Sequence, residues 1–260
     1  MKLSLEGKRA LVTGGSRGIG LAVARMLADE GCRVAVCARN KNSIAEAVKD
    51  LESRGVEAIG VQADAQVSSD IERVVATVID SWGAVDILVN NVGGGGRWGS
   101  WNVEETSEEV WTEVYDKNAM AAVRFTRLVI PHMRENKWGR VVTIASRFGK
   151  EGGGRPWFNM AKSAEISMMK TLAMTPYLVR DGITFNTVAP GAIMIPGTGW
   201  EQEALDDPKA FQQKLDGEFP MGRLGTPEEV ASVVVFVCSE KASLLSGACL
   251  LVDGGESSSF

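Results

Sequence analysis

The sequence predicts an α/β protein built on a doubly wound, parallel, seven-stranded sheet with helices on both faces. Three observations carry that prediction. Short apolar runs rich in β-branched residues alternate with longer amphipathic segments along the chain. The short runs are apolar on both sides, as strands covered by helices on either face must be. Several amphipathic segments stop at a glycine (Gly31, Gly55, Gly83, Gly182) shortly before the next apolar run. Such alternation makes successive strands parallel, because each helix carries the chain back across the sheet.

The elements follow in order. "RALVT" (9–13) is the first strand, and a glycine-rich turn leads into a helix over 18–30. "RVAVC" (33–37) and "EAIGV" (57–61) are the next strands, separated by a helix over 42–54. A helix over 68–82 precedes "DILVN" (86–90), and a long amphipathic stretch over 107–135 precedes "RVVTIAS" (140–146). A second long helix over 157–180 leads to "ITFNTV" (183–188). The last pair is a helix over 227–239 and the strand "CLLVD" (249–253). The acidic, amphipathic stretch "GTGWEQEALDDPKAFQQKLDGEFP" lies outside this rhythm and reads as part of a mobile lid at about 193–219.

Bulk properties narrow the function classes. The chain has 260 residues, 45% hydrophobic, with no Pro/Gly/Ser-rich linker or charge run to divide it, so one domain over 1–260 is expected. A formal charge of −5 argues against non-specific nucleic-acid binding and against a basic membrane-facing surface. No apolar run is long enough to span a bilayer, and the expected location is the cytoplasm. Cys32, Cys37, Cys238 and Cys249 show no C-x-x-C spacing and read as reduced core residues. A single histidine, His132, excludes Ser-His-Asp hydrolysis and multi-histidine metal sites, so no metal is expected. The expected partners are a small-molecule substrate and further copies of the chain.

The first strand runs into "TGGSRGIG" (13–20), and a helix follows at once. Gly14, Gly18 and Gly20 permit a tight turn and a close approach of backbone to a pyrophosphate, and the helix N-terminus offers unsatisfied N–H groups. Ser16, Arg17 and Ile19 complete the turn. A glycine turn in this strand-turn-helix setting is a dinucleotide site, which makes the chain a Rossmann-like dinucleotide-binding domain.

The spacing G-x-x-x-G-x-G, together with motifs along essentially the whole chain, resembles the short-chain dehydrogenase/reductase family. The motifs are "TGGSRGIG" (13–20), "ADAQV" (63–67), "NNVG" (90–93), Asn118 in "DKNAM", "TIAS" ending at Ser146, Lys162 in "NMAKSA", "NTVAPGAI" (186–193) and "LVDGG" (251–255). The residue after the second strand meets the adenosine ribose, where an acid accepts from the 2′-hydroxyl of NAD. Here Ala38 and Arg39 stand there, with Arg17 in the glycine turn, so charge complementarity favours NADP(H). By the resemblance, Asp64 meets the adenine amino group, Asn90, Asn91 and the following turn line the ribose side, and Pro190, Gly191 and Ile193 flank the nicotinamide. Ile195 departs from the family, which often has a threonine near the cofactor amide.

The resemblance implies hydride transfer between nicotinamide C4 and a carbonyl or alcohol carbon. In the family a tyrosine supplies the proton and a serine hydrogen-bonds the oxygen. A lysine lowers the tyrosine pKa and binds the ribose hydroxyls, and an asparagine keeps a water linking lysine to solvent. Ser146, Asn118 and Lys162 match, but the tyrosine position is Phe158, and the interval from Ser146 is one residue shorter than the commonest spacing. Tyr115 and Tyr177 lie on other helical segments. Three readings stay open. Phe158 is an introduced Tyr→Phe change silencing a reductase; or it marks a natural variant that takes its proton elsewhere; or the protein is non-redox, a decarboxylase, dehydratase or NADP-sensing binding protein. The family also implies a homotetramer, with 107–135 and 157–180 as contact helices.

Three loops surround the expected substrate position: 93–101, 147–157 and the segment after "APG" (191–219). They carry Trp98, Trp101, Trp157 and Trp200, which point to a bulky, aromatic substrate. They also carry Arg97, Arg147 and Arg155, which fit an acidic one. The expected activity is that of a ketoreductase, with reduction the favoured direction.

Overall fold

The computed structural model describes residues 2–259. Seven parallel strands form one sheet: β1 (Arg9–Thr13), β2 (Arg33–Ala38), β3 (Ala58–Gln62), β4 (Ile87–Asn90), β5 (Gly139–Ile144), β6 (Ile183–Pro190) and β7 (Cys249–Val252). Their order is β3-β2-β1-β4-β5-β6-β7. The chain first builds outward from β1 to β3, then returns to pair β4 with β1 in the opposite direction. That reversal opens a crevice beyond the carboxyl ends of β1 and β4, the place where doubly wound sheets bind ligands.

Each face of the sheet has its own core. Helices α1 (Gly18–Asp29), α2 (Lys41–Glu52) and α10 (Pro227–Cys238) bury Val23, Leu27, Leu51 and Val234 against Val34, Val36 and Val89. On the other face, α3 (Ser68–Trp82), α5 (Ala121–Glu135) and α6 (Pro156–Ala173) bury Ile71, Val75, Phe125, Val129 and Met169 against Leu11, Leu88 and Val141. Neighbouring strand residues point to opposite faces, so runs such as Leu11–Val12 need apolar side chains at every position.

The structure corrects two expected helices. The stretch 107–135 is not one α-helix: α4 (Glu108–Tyr115) passes into a π-helical turn (Asp116–Met120) before α5 begins. The cause is Asn118, whose side-chain amide donates to the Val114 carbonyl at 2.7 Å, taking the acceptor that the helical ladder would use. The stretch 157–180 ends as α6 at Ala173, and a separate turn, α7 (Pro176–Val179), follows. Pro176 lacks an N–H and disfavours helical geometry at Thr175, so the ladder stops there. The strand expected over 140–146 ends at Ile144, which leaves Ser146 in extended backbone beyond the sheet edge.

Residues 199–218 fold as two short helices, α8 (Gly199–Asp206) and α9 (Pro208–Glu218), with Asp207 capping the second through the Ala210 amide at 2.9 Å. They enclose a small core of Leu215, Phe219 and Leu224 with Trp200, Phe211 and Met194 packed against it. All four cysteines are free; Cys32, Cys37 and Cys238 are buried, and burial pushes the Cys37 thiol up to about 12. No helix of the described residues is long and apolar enough to cross a membrane.

Candidate active site

The glycine turn closes onto β4. Thr13 Oγ accepts from the Asn91 and Val92 amides at 2.9 and 3.0 Å, and Asn91 Nδ2 donates to the Thr13 and Gly14 carbonyls at 2.9 and 3.2 Å. Gly14 has φ +64°, and a side chain at Gly20 would collide with the Gly14 carbonyl and the Asn91 amide. Asn91 is thus spent on fixing the turn. Asn90 is buried and donates to Thr126 and Thr143 at 3.0 and 3.3 Å, so it braces the sheet. The first turn of α1 has no side-chain cap, which leaves its N–H groups for an anion.

Beside the glycine turn, the ends of β2 and β3 and the start of α2 form a rim. Gln62 Nε2 donates to the Arg39 carbonyl at 3.0 Å, and the Ser43 hydroxyl meets the Ser16 hydroxyl at 3.3 Å. Ser16, Arg17, Arg39 and Ser43 therefore border one rim. Lys117 joins it from the π-helical turn, with its Nζ 4.4 Å above the Trp98 ring. Burial lowers the Lys117 pKa, and the positive fields of Arg39 and Arg17 lower it further against Glu113 and Asp64. Asp64 accepts from the Gln66 amide at 3.0 Å, and its own amide donates to Asp70 at 2.8 Å, which fixes the turn after β3.

Beyond β4 and β5, Asn118 and Lys162 come together at Gly93, and Ser146 lies two residues past Ile144, whose carbonyl Lys162 holds. Asn118 is fully buried and clamps Gly94: its Oδ1 accepts from the Gly94 amide at 3.1 Å and its Nδ2 donates to the Gly94 carbonyl at 2.8 Å. A Cβ on Gly93 would stand 2.6 Å from Asn118 Oδ1 and 3.1 Å from Lys162 Nζ, so these two groups flank the same backbone point and only glycine fits between them. Ser146 accepts from the Phe148 amide at 3.3 Å. Lys162 is buried, and its ammonium donates to the Ile144 carbonyl at 3.1 Å and to both oxygens of Glu165 at 3.0 and 3.2 Å. The Phe158 ring centroid lies 5.8 Å from Lys162 Nζ, and the ring lies along Gly96. Phe158 and Lys162 share one face of α6, as the i,i+4 spacing requires.

The loops around this cluster differ from expectation. Trp157 is fully buried, with its ring 5.3 Å from that of Trp111, edge to face. It turns away from Phe158 because consecutive helical residues point about 100° apart, and so it is a core residue and not a cleft wall. Trp98 is half-buried beneath Lys117, while Trp101 is 74% exposed and stacks with Arg155. Trp200 packs on Phe219 and lies between two cations, Arg97 at 5.2 Å and Lys214 at 4.8 Å. Both cations also pair with Glu203 at 3.0 Å, so Arg97 clasps α8 to the 93–101 loop. Arg147 is committed to Glu151 at 2.5 Å and Glu256 at 2.9 Å. Glu256 in turn accepts from the Ala192 amide at 2.7 Å, which anchors the turn after Pro190 and Gly191. Ile193 bridges to Gly225, and Ile195 lies against Gly18.

Four contributors were not singled out from sequence: Glu165, Lys117, Ser43 and Glu256. For Glu165 a signal exists, an acid three residues after Lys162 on the same helical face. For Ser43 and Glu256 none does, since only the folded chain brings them to the site.

The family model described as enoyl-(acyl carrier protein) reductase matches residues 14–257. Dehydrogenase/reductase SDR family member 4 of Oryctolagus cuniculus is 35% identical over 253 residues, covering 96% of this chain and 94% of that protein. A putative ketoacyl reductase of Streptomyces coelicolor is 36% identical over 256 residues, covering 95% of each. Among solved structures, L-sorbose reductase from Gluconobacter frateurii, complexed with NADPH and L-sorbose, matches over 100% of both chains with a TM-score of 0.91 and 33% identity. A 7α-hydroxysteroid dehydrogenase complexed with NADH and 7-oxo glycochenodeoxycholic acid matches with a TM-score of 0.87 and 29% identity, covering 98% of this chain and 96% of that one. With a family model spanning nearly the whole length and relatives above 30% identity end to end, the chain belongs to the short-chain dehydrogenase/reductase family of oxidoreductases.

Proposed function

We propose that the protein is an NADP(H)-dependent oxidoreductase that reduces the carbonyl, or oxidises the alcohol, of a bulky aromatic or acidic substrate, and that Phe158 makes this form slow. The observation that carries the reading is the cluster of Ser146, Lys162 and Asn118 beside the uncapped glycine turn, with an unreactive ring where a phenol would stand.

The residues present fit a nicotinamide dinucleotide. Gly20 lets the turn close tightly on the Gly14 carbonyl and the Asn91 amide, and the open N–H groups of α1 suit the charge of a pyrophosphate. Arg17, Arg39 and Lys117, with the Ser16 and Ser43 hydroxyls, suit a 2′-phosphate. Asp64 would hold the adenine edge, and Pro190, Gly191 and Ile193 would flank the nicotinamide. When bound, the cofactor supplies or accepts the hydride at C4. Ser146 would then hold the substrate oxygen by a hydrogen bond, and Lys162 would hold the ribose hydroxyls. Asn118 fixes the 93–94 turn through both of its amide atoms. Phe158 offers no proton, so the alkoxide formed in reduction must draw one from water, Ser146 or the substrate itself.

Residues 193–219 act in this reading as the substrate lid, with Arg97, Trp98 and Trp200 at its hinge side. Because the Arg97 side chain is 58% exposed, Arg97→Ala is expected to change unfolding stability by under about 1 kcal/mol. The same change frees Glu203 and Trp200, so limited proteolysis within 196–219 should speed up several-fold. Unchanged cleavage would show that Arg97 holds nothing.

The alternative, an NADP-sensing binding protein or a non-redox enzyme such as a decarboxylase or dehydratase, is favoured by one observation, the absent phenol. NADPH oxidation against a panel of bulky aromatic and acidic ketones, run for the protein and for Phe158→Tyr, separates the two. Turnover by either form supports the oxidoreductase. Tight NADPH binding without turnover by both supports the alternative.

A further inference from the structure

Glu165 is a carboxylate inside the protein, 1% exposed, one helical turn beyond Lys162. Its two oxygens are 3.0 and 3.2 Å from the Lys162 ammonium, which is itself 4% exposed and has one further protein acceptor, the Ile144 carbonyl at 3.1 Å. A buried ammonium with one neutral acceptor is costly, because the desolvation of the charge is not repaid by a single carbonyl. Phe158, one turn to the other side, supplies no hydroxyl.

We propose that Glu165 is a positioning residue of the active site: its carboxylate holds the Lys162 ammonium against the end of β5, aimed at the cofactor ribose, in a site that has no phenol to share the task. This rests on the dinucleotide-binding reading above. Among the described residues, the hydrogen bonds of the Glu165 carboxylate all go to Lys162. Removing its charge leaves the ammonium to shed its proton or to swing toward water. Either movement withdraws the donor from the ribose.

Protonation of Glu165 has the same consequence as removing its charge. Burial raises its pKa to about 6, against the pull of Lys162. The elements packed against α6 carry Arg147 and Lys150 in the turn after Ser146, Asp116 and Lys117 on the π-helical turn, three glutamates on α4 and Arg140 on β5. Arg147 pairs with Glu151 and Glu256, and Asp116 pairs with Arg124 at 2.6 Å. Lys117 stacks on Trp98, while Glu108, Glu109 and Glu113 belong to α4. Arg140 faces Glu240 at the far end of β5. Glu165 is therefore anionic above about pH 6 and supports Lys162 there, and the support is lost as pH falls through that value.

The test is the affinity for NADP⁺, and in parallel for NAD⁺, of the protein and its Glu165→Gln variant between pH 5 and 7.5. Ionisation of the 2′-phosphate affects both proteins alike and cancels in their ratio. The variant is expected to bind as well as the parent near pH 5 and about tenfold more weakly at pH 7.5, a loss of the size of one hydrogen bond to a charged group. A ratio that is flat with pH overturns the proposal, whether at unity, where Glu165 has no role, or low, where it only packs. Should Glu165→Gln fail to fold, Glu165→Asp keeps the charge, and its acid limb must move from that of the parent. A limb left in place belongs to another group and equally overturns it. Binding of NAD⁺ alone would refute the choice of NADP while the NAD⁺ ratio still decides Glu165. Binding of neither would refute the cofactor reading and this proposal together.

Discussion

Phe158→Tyr is expected to raise the rate of carbonyl reduction by about 10²-fold or more, measured as NADPH oxidation on a bulky aromatic or acidic ketone. A positioned general acid contributes about 10²–10⁴ in rate, and in the proposed reading Ser146 and Lys162 remain to serve that step. Lys162 and Phe158 lie on one face of α6, and the ring is half-buried along Gly96. A hydroxyl added to this ring extends from its far edge without a new side chain entering the core, so the unfolding midpoint should move little. The gain belongs at the lower end of the range, because Glu165 offsets part of the ammonium charge that would otherwise acidify the phenol. Adding Glu165→Gln to Phe158→Tyr would then shift the pH profile of the reaction, a shift that packing alone would not cause. If the parent already turns over and the tyrosine brings nothing, the proton comes from another group, and Phe158 is the working residue of a variant mechanism.

The fold was legible because both-face burial writes itself into composition. All seven strands lie within two or three residues of the apolar runs that indicated them, and the alternation indicated that they are parallel; their order in the sheet is seen only in the folded chain. Local exceptions were not legible where a side chain overrides the backbone. Asn118 takes the Val114 carbonyl and converts a helical turn to π geometry, an event that periodicity does not register. The candidate site was readable as motifs at Gly14–Gly20, Asn118, Ser146 and Lys162, which lie beyond the ends of β1, β4 and β5. It was less so on the loops, where tryptophan is equally at home in a cleft or a core. Trp157 lies in the core against Trp111, and Trp200 sits within the clasp of Arg97, Lys214 and Glu203. Glu165 passed unread because an acid on a helix is ordinarily a solvated residue; its burial becomes visible only once α6 is laid against the sheet.

Arg39→Asp should reverse the choice of cofactor. In the parent, Arg39 and Arg17 flank the rim made by the Ser16 and Ser43 hydroxyls, and their fields reach Lys117 across the groove. A 2′-phosphate placed there gains hydrogen bonds to charged donors, each worth about one to two powers of ten in affinity. Aspartate removes one such donor and adds a negative charge beside the phosphate, so NADPH affinity should fall by about 10²-fold at low salt. The fall should shrink as salt is added, since the rim is open to solvent and the repulsion is screened over about 10 Å at 0.1 M. NADH should bind no worse, because a carboxylate at this position accepts from the ribose 2′-hydroxyl. The Arg39 carbonyl stays fixed by Gln62 in either case, so the change acts on charge and not on the path of the loop. Fluorescence titration of both cofactors against both proteins reads the two affinities directly. An NADPH affinity unmoved by Arg39→Asp would place the phosphate elsewhere, with Arg17 and Lys117 as the remaining cations to hold it.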